Sequence, residues 1–376
     1  MKIARLSDLA DAKACPRLVV KVGSSLLVGK QGVRREWLQG LVTEIAAARA
    51  RGQDVIVVSS GAIALGAATL KLDKGGRGSL ADAQAAAAVG QIALSGLWAE
   101  LLGAHGLTAA QLLLTLEDLE DRRRYLNATA TLTRLMDAGA VPVINENDSV
   151  ATQEIRFGDN DRLAARVAQA ARADAVLLLS DVDGLFDRNP AEAGAQMLHE
   201  VRGVTAEIHA MATGGSSSGM GSGGMTSKLQ AAEIAERAGI ALVIASGLHD
   251  APVARACQQG IGTLFLPRRK DAARKAWLGG RLRLKGVLTV DAGAARALGR
   301  GGSLLAAGIV GVEGEFQRGD AVAIQSDAGA TLAHGLAEYD AAECARLMGT
   351  QSGEQAELLG YAPRSAVVHR DQLVVL

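Results

Sequence analysis

The chain has 376 residues, which is long enough for two domains and for a sizeable buried core. Its 40 Lys and Arg residues balance its 40 Asp and Glu residues, and a neutral chain of this kind is not expected to coat nucleic acids. The three cysteines are scattered, without a CxxC pair or a Cys/His cluster, so we expect no disulfide framework, no zinc site and a reducing, cytoplasmic location.

The first residues form an N-terminal extension, 1–16, that carries several charges and no apolar segment. This composition is not that of a signal peptide. Further along, charged residues interrupt the longest apolar runs before they reach the length of a membrane span. The sequence therefore predicts neither a signal peptide nor a membrane segment.

Apolar strands alternate with helical stretches between residues 17 and 245. The predicted strands are 18–22, 54–58, 109–114, 141–144, 175–179 and 240–245. The predicted helices are 34–51, 81–104, 122–138, 162–173 and 226–238. Continuously apolar strands that alternate with helices are typical of a parallel sheet with helices on both faces, so we predict the α/β class.

The pattern changes after about residue 280. Short β-like segments, separated by Gly-rich turns, are predicted at 285–290, 308–312, 321–325 and 366–368. One helical stretch is predicted at 341–348. The glycine pair Gly279–Gly280 and the basic residues after it suggest a linker, so we predict a domain boundary there, with one domain at 17–279 and a second at 280–376.

Polar residues follow four of the apolar strands, at the point where each strand ends. These clusters are Lys21–Ser25, Ser59–Ala62, Asn145–Asp148 and Ser180–Asp183. In an open α/β sheet, ligands bind beyond the carboxyl ends of the strands. Each cluster alone is an ordinary turn, but four together predict a binding site at this edge of the sheet.

Lys21 interrupts the first apolar strand. A buried lysine is costly unless it is paired, so a carboxylate or ligand partner is expected. The alternative is a lysine on an edge strand that reaches solvent. The spacing from Gly23 to Gly29–Lys30 does not match the Walker A motif, because Gln31 follows, so the chain is not a P-loop enzyme.

The Gly/Ser-rich segment Gly214–Lys228 contains a chance match to a dinucleotide fingerprint, and its first half is interpreted as a linker. Its end, Gly223–Lys228, is predicted to begin a helix, and a glycine-rich helix N-terminus followed by a lysine is suited to binding an anion. The polar run Asp159–Asp161 precedes another helix and exceeds what an N-cap requires. Lysines, amides and carboxylates without an evident base suit phosphoryl transfer to an acceptor that is already ionised.

These motifs, in this order and spacing, resemble those of the amino-acid kinase family. The residues that carry the resemblance are Val20–Ser25, Val58–Ile63, Pro142–Asp148, Phe157–Asp161 and Gly223–Gln230. Gly360–Tyr361 and Val367–Asp371 resemble the end of the family's longer members. The resemblance covers nearly the whole chain, from Arg17 to Asp371, and is closest to members that phosphorylate the side-chain carboxylate of free glutamate.

The resemblance implies a three-layer α/β/α sandwich kinase domain followed by a small β-barrel, PUA-like domain. It implies that L-glutamate is the substrate, that ATP and Mg²⁺ are required, and that proline inhibits by feedback. It also implies a homo-oligomer and a hand-off of the acyl phosphate product to glutamyl phosphate reductase.

The resemblance also implies roles for single residues. Lys21 and Lys228 would hold the transferring phosphoryl group, and Asp161 would orient both lysines. The implied glutamate-binding residues are Ser60, Asn145, Asp148 and Asn160. The implied ATP-binding residues, besides the two lysines, are Ser180, Asp181, Ser222, Gly223, Gly224, Met225, Thr226 and Ser227. Ser24 and Ser180 stand where the family commonly has Thr, and both keep the hydroxyl.

Two alternatives stay open. One is another member of the family, of the acetylglutamate, aspartate or carbamate type, against which the second domain and the Asn145–Asp148 motif argue. The other is RNA binding through the second domain, with Arg281, Arg283 and Lys285 as a small basic patch. Surface charge at a linker explains that patch more simply.

Overall fold

The computed structural model describes residues 3–29, 32–150, 159–212, 224–268, 284–364 and 366–375. The chain divides into two compact units, residues 1–270 and 271–376. This division falls within 269–283, a segment outside the described residues, and so does the predicted boundary at Gly279–Gly280. The predicted boundary therefore stays a prediction.

The first unit alternates strands and helices over most of its length, as predicted. Its strands are β1 (Arg17–Val22), β2 (Val28–Gly29), β3 (Gly32–Val33), β4 (Asp54–Ser59), β5 (Ala109–Leu114), β6 (Val141–Glu146), β7 (Ala175–Ser180), β8 (Glu200–Arg202), β9 (Ala241–Ser246) and β10 (Thr263–Leu266). Its helices are α1 (Ser24–Leu27), α2 (Arg35–Ala50), α3 (Ala62–Leu70), α4 (Leu80–Gly103), α5 (Leu116–Glu120), α6 (Arg122–Asp137), α7 (Asp159–Ala171), α8 (Ala206–Ala212), α9 (Gly224–Arg237) and α10 (Pro252–Gln259).

Eight of these strands form one sheet in the order β5-β6-β4-β1-β7-β9-β10-β8. From β5 to β9 all neighbours are parallel, which confirms the predicted parallel sheet. β10 runs antiparallel to β9 and pairs in parallel with β8, so the last two strands reverse direction. β1 lies between β4 and β7, so the strands that follow it in the chain lie on both of its sides. A crevice beyond the carboxyl ends is expected at such a switch point.

Alternate residues of the central strands face opposite layers of core. On β1, Leu18, Val20 and Val22 pack into one hydrophobic cluster, with Trp37 of α2 and Trp98 of α4. Val19 packs into the other cluster with residues of α6, α7 and α9. This arrangement is the predicted three-layer α/β/α sandwich, and Lys21 shares the face of Val19 by the period of two along a strand.

The N-terminal extension contributes to the core of the first unit. Leu6 and Leu9 lie in a short 3-10 helix and are buried in the same cluster as β1. The buried amide of Gln53 donates hydrogen bonds of 2.8 Å to the carbonyl oxygens of Leu9 and Cys15. These bonds tie the extension to the chain just before β4.

Helix α4 is long and apolar enough to cross a membrane by length and composition alone, with a mean hydropathy of 1.4 over an 18-residue window. The expectation that charges interrupt every apolar run short of a span is therefore wrong here, because Ala and Gly residues fill the helix without a charge from residue 83 to 99. Leu94, Trp98 and Leu102 bury one side of α4 in the core, as in the core helix of a globular protein.

Helices α3 and α4 are in backbone contact. A Cβ atom on Gly66 would lie 1.8 Å from the carbonyl oxygen of Ala86, and one on Gly90 would lie 1.8 Å from that of Ala62. Two glycines at the crossing are therefore a steric requirement, since any side chain there would push the helices apart.

The second unit is built around a five-stranded sheet. Its strands are β11 (Gly286–Val290), β12 (Ile309–Gly314), β13 (Ala321–Ser326), β14 (Thr331–Leu336) and β15 (Leu373–Val375), in the order β12-β11-β13-β14-β15. Its helices are α11 (Ala292–Gly299), α12 (Ala341–Leu347) and α13 (Gln355–Leu359). The predicted segment 366–368 is not a regular strand. Only Val368 makes an isolated bridge, to Leu304.

Candidate active site

Lys21 lies near the carboxyl end of the central strand β1, with Val58 of β4 and Leu178 of β7 beside it. The alternative of an edge-strand lysine that reaches solvent is wrong, because both neighbouring positions are occupied by strands. The Lys21 side chain is 9% exposed. A charged group at such a position requires a partner.

The partner is Asp161, in the first turn of α7. The Lys21 Nζ atom lies 2.6 Å from Asp161 Oδ1, and the Asp161 side chain is 1% exposed. Because Asp161 lies in the first turn of α7, the partial positive charge of the helix N-terminus favours its ionised form. The expectation of a carboxylate partner for Lys21 is therefore confirmed.

A second lysine reaches the same carboxylate from α9. Lys228 Nζ lies 3.2 Å from Asp161 Oδ2, and the Ser227 hydroxyl donates to the same oxygen at 3.1 Å. Lys228 is 11% exposed. Lys21, Asp161 and Lys228, here called the charged triad, thus join three elements that are far apart in sequence.

The charged triad carries a formal charge of +1. Burial raises the pKa of Asp161, but the attraction and hydrogen bonds of Lys21 and Lys228 outweigh this effect and lower that pKa to about 2. Burial lowers the pKa of Lys21, the charge of Lys228 lowers it further, and the attraction of Asp161 offsets these effects only in part. Two ammonium groups on one carboxylate leave positive charge to offer, which is what a phosphoryl group requires.

An amide network lies beside the charged triad. Asn160, the residue before Asp161, donates its Nδ2 hydrogens to Ser60 Oγ at 2.8 Å and to Asn145 Oδ1 at 3.2 Å. Asn145 donates in turn to Gln91 Oε1 at 2.9 Å. The structure thus brings together three of the four residues that the resemblance implies for glutamate, namely Ser60, Asn145 and Asn160.

Asp148 lies in a short 3-10 helix after β6 and is 7% exposed. It lines a cavity of about 460 Å³ together with Gln91 and Ser95 of α4. Partial burial lowers the pKa of Arg77, and the negative charge of Asp148 partly offsets that effect. Asp148 therefore supplies a carboxylate to a cavity that Gln91 also lines.

The residues implied for ATP are placed in part. Ser180 is buried at the end of β7 and donates its hydroxyl to the exposed Asp181 carboxylate at 3.0 Å. Gly224 begins α9, with the half-buried Met225 and the exposed Thr226 after it. Ser222 and Gly223 lie outside the described residues. Within the described ranges, no group of three or more His, Cys, Asp or Glu side chains is arranged to hold a metal ion.

Gln91 was not among the predicted site residues. It lies on α4, in an Ala-rich stretch where a polar residue reads as part of a solvated face. The one feature that could have marked Gln91 as a site residue is its position directly after Gly90, where α4 crosses α3. That crossing becomes visible only when the two helices are placed together.

Comparisons with known proteins identify the family of this chain. Residues 16–246 match the amino acid kinase family, and residues 286–357 match the PUA domain. The chain belongs to the amino acid kinase family. It is 72% identical to the glutamate 5-kinase of Novosphingobium aromaticivorans, over 100% of both chains. It is 61% identical to that of Sphingopyxis alaskensis, over 98% of this chain and 100% of the relative.

One solved structure is more distant. A carbamate kinase from Giardia lamblia bound to AMP-PNP aligns with 67% of this chain and 98% of its own, at 15% identity and a TM-score of 0.49. The two family matches alone define a kinase domain followed by a PUA domain, in the order that the two compact units have along the chain.

Proposed function

We propose that this chain is an ATP-dependent kinase that phosphorylates the γ-carboxylate of L-glutamate to L-glutamyl 5-phosphate, the first step of proline biosynthesis. The observation that carries the proposal is the charged triad, a buried carboxylate that holds two lysines at the carboxyl end of the central strand. The high identity to curated glutamate 5-kinases over the full chain supports it.

The chemistry requires no general base. The γ-carboxylate of glutamate has a reference pKa of about 4.3 and is ionised at neutral pH. One of its oxygens attacks the γ-phosphorus of ATP, a C–O–P bond forms, and the bond between that phosphorus and the β–γ bridging oxygen breaks to release ADP. The barrier lies in bringing two anions together in line. Lys21 and Lys228 would neutralise the transferring group, while Asp161 holds both ammonium groups in place.

The amide network would bind glutamate beside the charged triad. Ser60, Asn145 and Asn160 offer neutral donors and acceptors, and Asp148 offers a negative charge for the α-ammonium group. A desolvated ammonium needs such a partner. The acetylated α-nitrogen of an N-acetyl amino acid is neutral and would form no ion pair with Asp148, so free glutamate is the expected substrate.

Magnesium would arrive with ATP. Both oxygens of Asp161 face ammonium groups. Asp181 is an exposed carboxylate near Lys21, and its negative charge is one of the effects that act to raise the pKa of that lysine. This donor set fits Mg²⁺, which usually keeps several waters and binds through one or two carboxylates plus substrate phosphates. Asp181 would hold the ion, which when bound supplies further positive charge to the phosphates.

The remaining expectations are part of the same proposal. Proline would inhibit by feedback, the chain would form a homo-oligomer in the cytoplasm, and the labile acyl phosphate would pass to glutamyl phosphate reductase. An acyl phosphate reacts with water or with its own amine, so rapid consumption by a reductase is chemically favoured.

A coupled assay of ADP release tests the proposal. The purified protein is given ATP, Mg²⁺ and one of glutamate, N-acetylglutamate, aspartate or carbamate. We expect turnover with glutamate at least about ten-fold more efficient than with N-acetylglutamate or carbamate, which lack the α-ammonium group, since one lost charged hydrogen bond is worth roughly 1.5–3 kcal/mol. Aspartate keeps that group, but its side chain is one methylene shorter, so its carboxylate should reach the phosphate less well. Preference for N-acetylglutamate or aspartate would assign the chain to a different acceptor within the family.

A further inference from the structure

The amide network continues beyond Asn145 into helix α4. Asn145 Nδ2 donates to Gln91 Oε1 at 2.9 Å, and Gln91 Nε2 donates to Ser95 Oγ at 3.2 Å. Ser95 in turn donates its hydroxyl to the backbone oxygen of Gln91 at 2.8 Å. We call the series Ser95–Gln91–Asn145–Asn160 the amide relay. Gln91 and Ser95 have no role in the proposed function.

The relay has a direction, and Ser95 sets it. A carboxamide can present either its oxygen or its nitrogen to a neighbour, so a chain of amides alone could run in either direction. A serine hydroxyl has one hydrogen, and here the backbone oxygen of Gln91 accepts it. The Ser95 oxygen is left only as an acceptor, so Gln91 must turn its nitrogen toward Ser95 and its oxygen toward Asn145.

The same constraint passes along the relay to the substrate site. Asn145 must turn its nitrogen to Gln91 and its oxygen to Asn160, so Asn160 must turn its nitrogen to Asn145 and Ser60. The Asn160 Oδ1 atom is buried and, among the residues that the structure describes, has no hydrogen-bond partner. The relay therefore fixes the direction of one acceptor on Asn160, whose amide nitrogen bonds Ser60 and Asn145.

Backbone packing links Gln91 of the relay to the helix that follows Ser60, which accepts a hydrogen bond from Asn160. Ser60 directly precedes Gly61 and α3, and Gln91 directly follows Gly90 on α4. The close contact of Gly90 with the carbonyl oxygen of Ala62 fixes the distance between these helices. Hydrogen bonds between side chains on rigid backbone elements keep their geometry at small entropic cost, so the relay suits a positioning role.

We propose that Ser95 and Gln91 are positioning residues that turn the carbonyl oxygen of Asn160 toward the α-ammonium group of the amino-acid substrate. The ammonium is the only hydrogen-bond donor on ionised glutamate, so it is the group that matches an unpartnered acceptor. If the relay reversed, Asn160 would present an N–H group to the ammonium, which is repulsive. This inference rests on the proposed function, because it takes glutamate as the ligand.

The test compares two ligands that differ only in the α-amino group. The KM for glutamate and the inhibition constant for glutarate, which is glutamate without that group, are measured on the full-length enzyme. Ser95→Ala removes the hydroxyl that sets the direction, and we expect the KM for glutamate to rise about five-fold, as for a net hydrogen bond of about 1 kcal/mol. The glutarate constant and the KM for ATP should stay within about two-fold of wild type, a change of about 0.4 kcal/mol.

Ser95→Thr is the matched control. Threonine keeps a hydroxyl that can donate to the carbonyl four residues earlier in a helix, so wild-type constants are expected. Gln91→Met interrupts the relay itself and should raise the KM for glutamate about ten-fold, which corresponds to 1.4 kcal/mol. The exposed Gln39→Met makes the same chemical change on α2 and should be silent.

Several outcomes would overturn the proposal. Equal loss of glutamate and glutarate binding in Ser95→Ala would mean general damage to the site, and Ser95→Thr as impaired as Ser95→Ala would mean that the hydroxyl is irrelevant. If Ser95→Ala does not fold, unchanged glutamate KM in folded Gln91→Met overturns it instead. A wild-type enzyme without glutamate turnover would fail the proposed function. A wild type with turnover and silent relay variants would fail the relay alone.

Discussion

The charged triad and the amide network lie side by side but are built differently. The triad has three formal charges, on side chains that are at most 11% exposed. The network of Ser60, Asn145 and Asn160 is neutral. Consecutive residues of α7, Asn160 and Asp161, serve one side each. One helix start thus fixes the spacing between the charged triad and the amide network, which the proposed function assigns to the transferring phosphoryl group and to the amino acid.

Under the proposed function, the two regions have different tasks. Charge that develops during phosphoryl transfer is stabilised by fixed ammonium groups, and these work best where water is excluded. Recognition of an amino acid requires direction more than charge, which amides provide. We therefore expect changes in the triad to affect stability and kcat, and changes around the network to affect the KM for glutamate.

Asp161→Asn should have the largest effect, because it leaves two buried ammonium groups without their anion. Removal of one partner of a buried ion pair costs roughly 3–5 kcal/mol, and we expect a loss of this size in the free energy of unfolding. Urea unfolding at neutral pH measures it. The exposed Asp137→Asn is the matched control and should change little. Equal stability of both variants would show that the triad does not depend on the Asp161 charge.

The wild type and Asp161→Asn should also differ in how their stability depends on pH in acid. The pKa of Asp161 is lowered from 3.8 to about 2 in the folded protein, so its charge stabilises the fold above pH 3.8. As the pH falls from about 4 to 2, the carboxylate is protonated and roughly 2 kcal/mol of this stability is lost. Asp161→Asn should lack that part of the acid-dependent loss.

Lys21→Ala should lower kcat by about 10²–10³-fold while the fold persists, since its charge acts mainly on the transition state and Lys228 still pairs with Asp161. Steady-state kinetics on a variant with a wild-type circular dichroism spectrum measures this. Lys13→Ala, at an exposed position, is the control. Near-normal kcat in folded Lys21→Ala would remove Lys21 from the reaction and break the distinction between the two regions.

Asp148→Asn should raise the KM for glutamate by about ten-fold or more, as the loss of at least 1.4 kcal/mol implies, and change the KM for ATP little. Asparagine keeps the shape of the side chain and removes the charge that would pair with the α-ammonium group. The exposed Asp327→Asn, in the second unit, controls for the loss of one charge. A raised KM for ATP with an unchanged KM for glutamate would contradict the assignment of Asp148 to glutamate binding.

Much of this architecture could be predicted from the chain alone. Apolar runs such as Leu18–Val22 specify buried parallel strands, and a lysine inside one of them requires a carboxylate. The last two strands of the sheet, β10 and β8, were not predicted, because a three- or four-residue run carries little periodic signal. The Asn145–Gln91 bond joins residues 54 positions apart, and nothing local in an Ala-rich helix marks which polar side chain turns inward.

Removal of the second unit should have the smallest effect on the reaction. All residues of the charged triad and the amide network lie before Leu266, and the match to the amino acid kinase family ends at residue 246. A chain that ends at Gly280 should therefore keep the kcat of the full-length enzyme and its KM for glutamate within about two-fold, which corresponds to about 0.4 kcal/mol. Lost proline inhibition alone would be compatible with this expectation. A folded, inactive truncated chain would contradict it, because part of the site would then lie beyond residue 280.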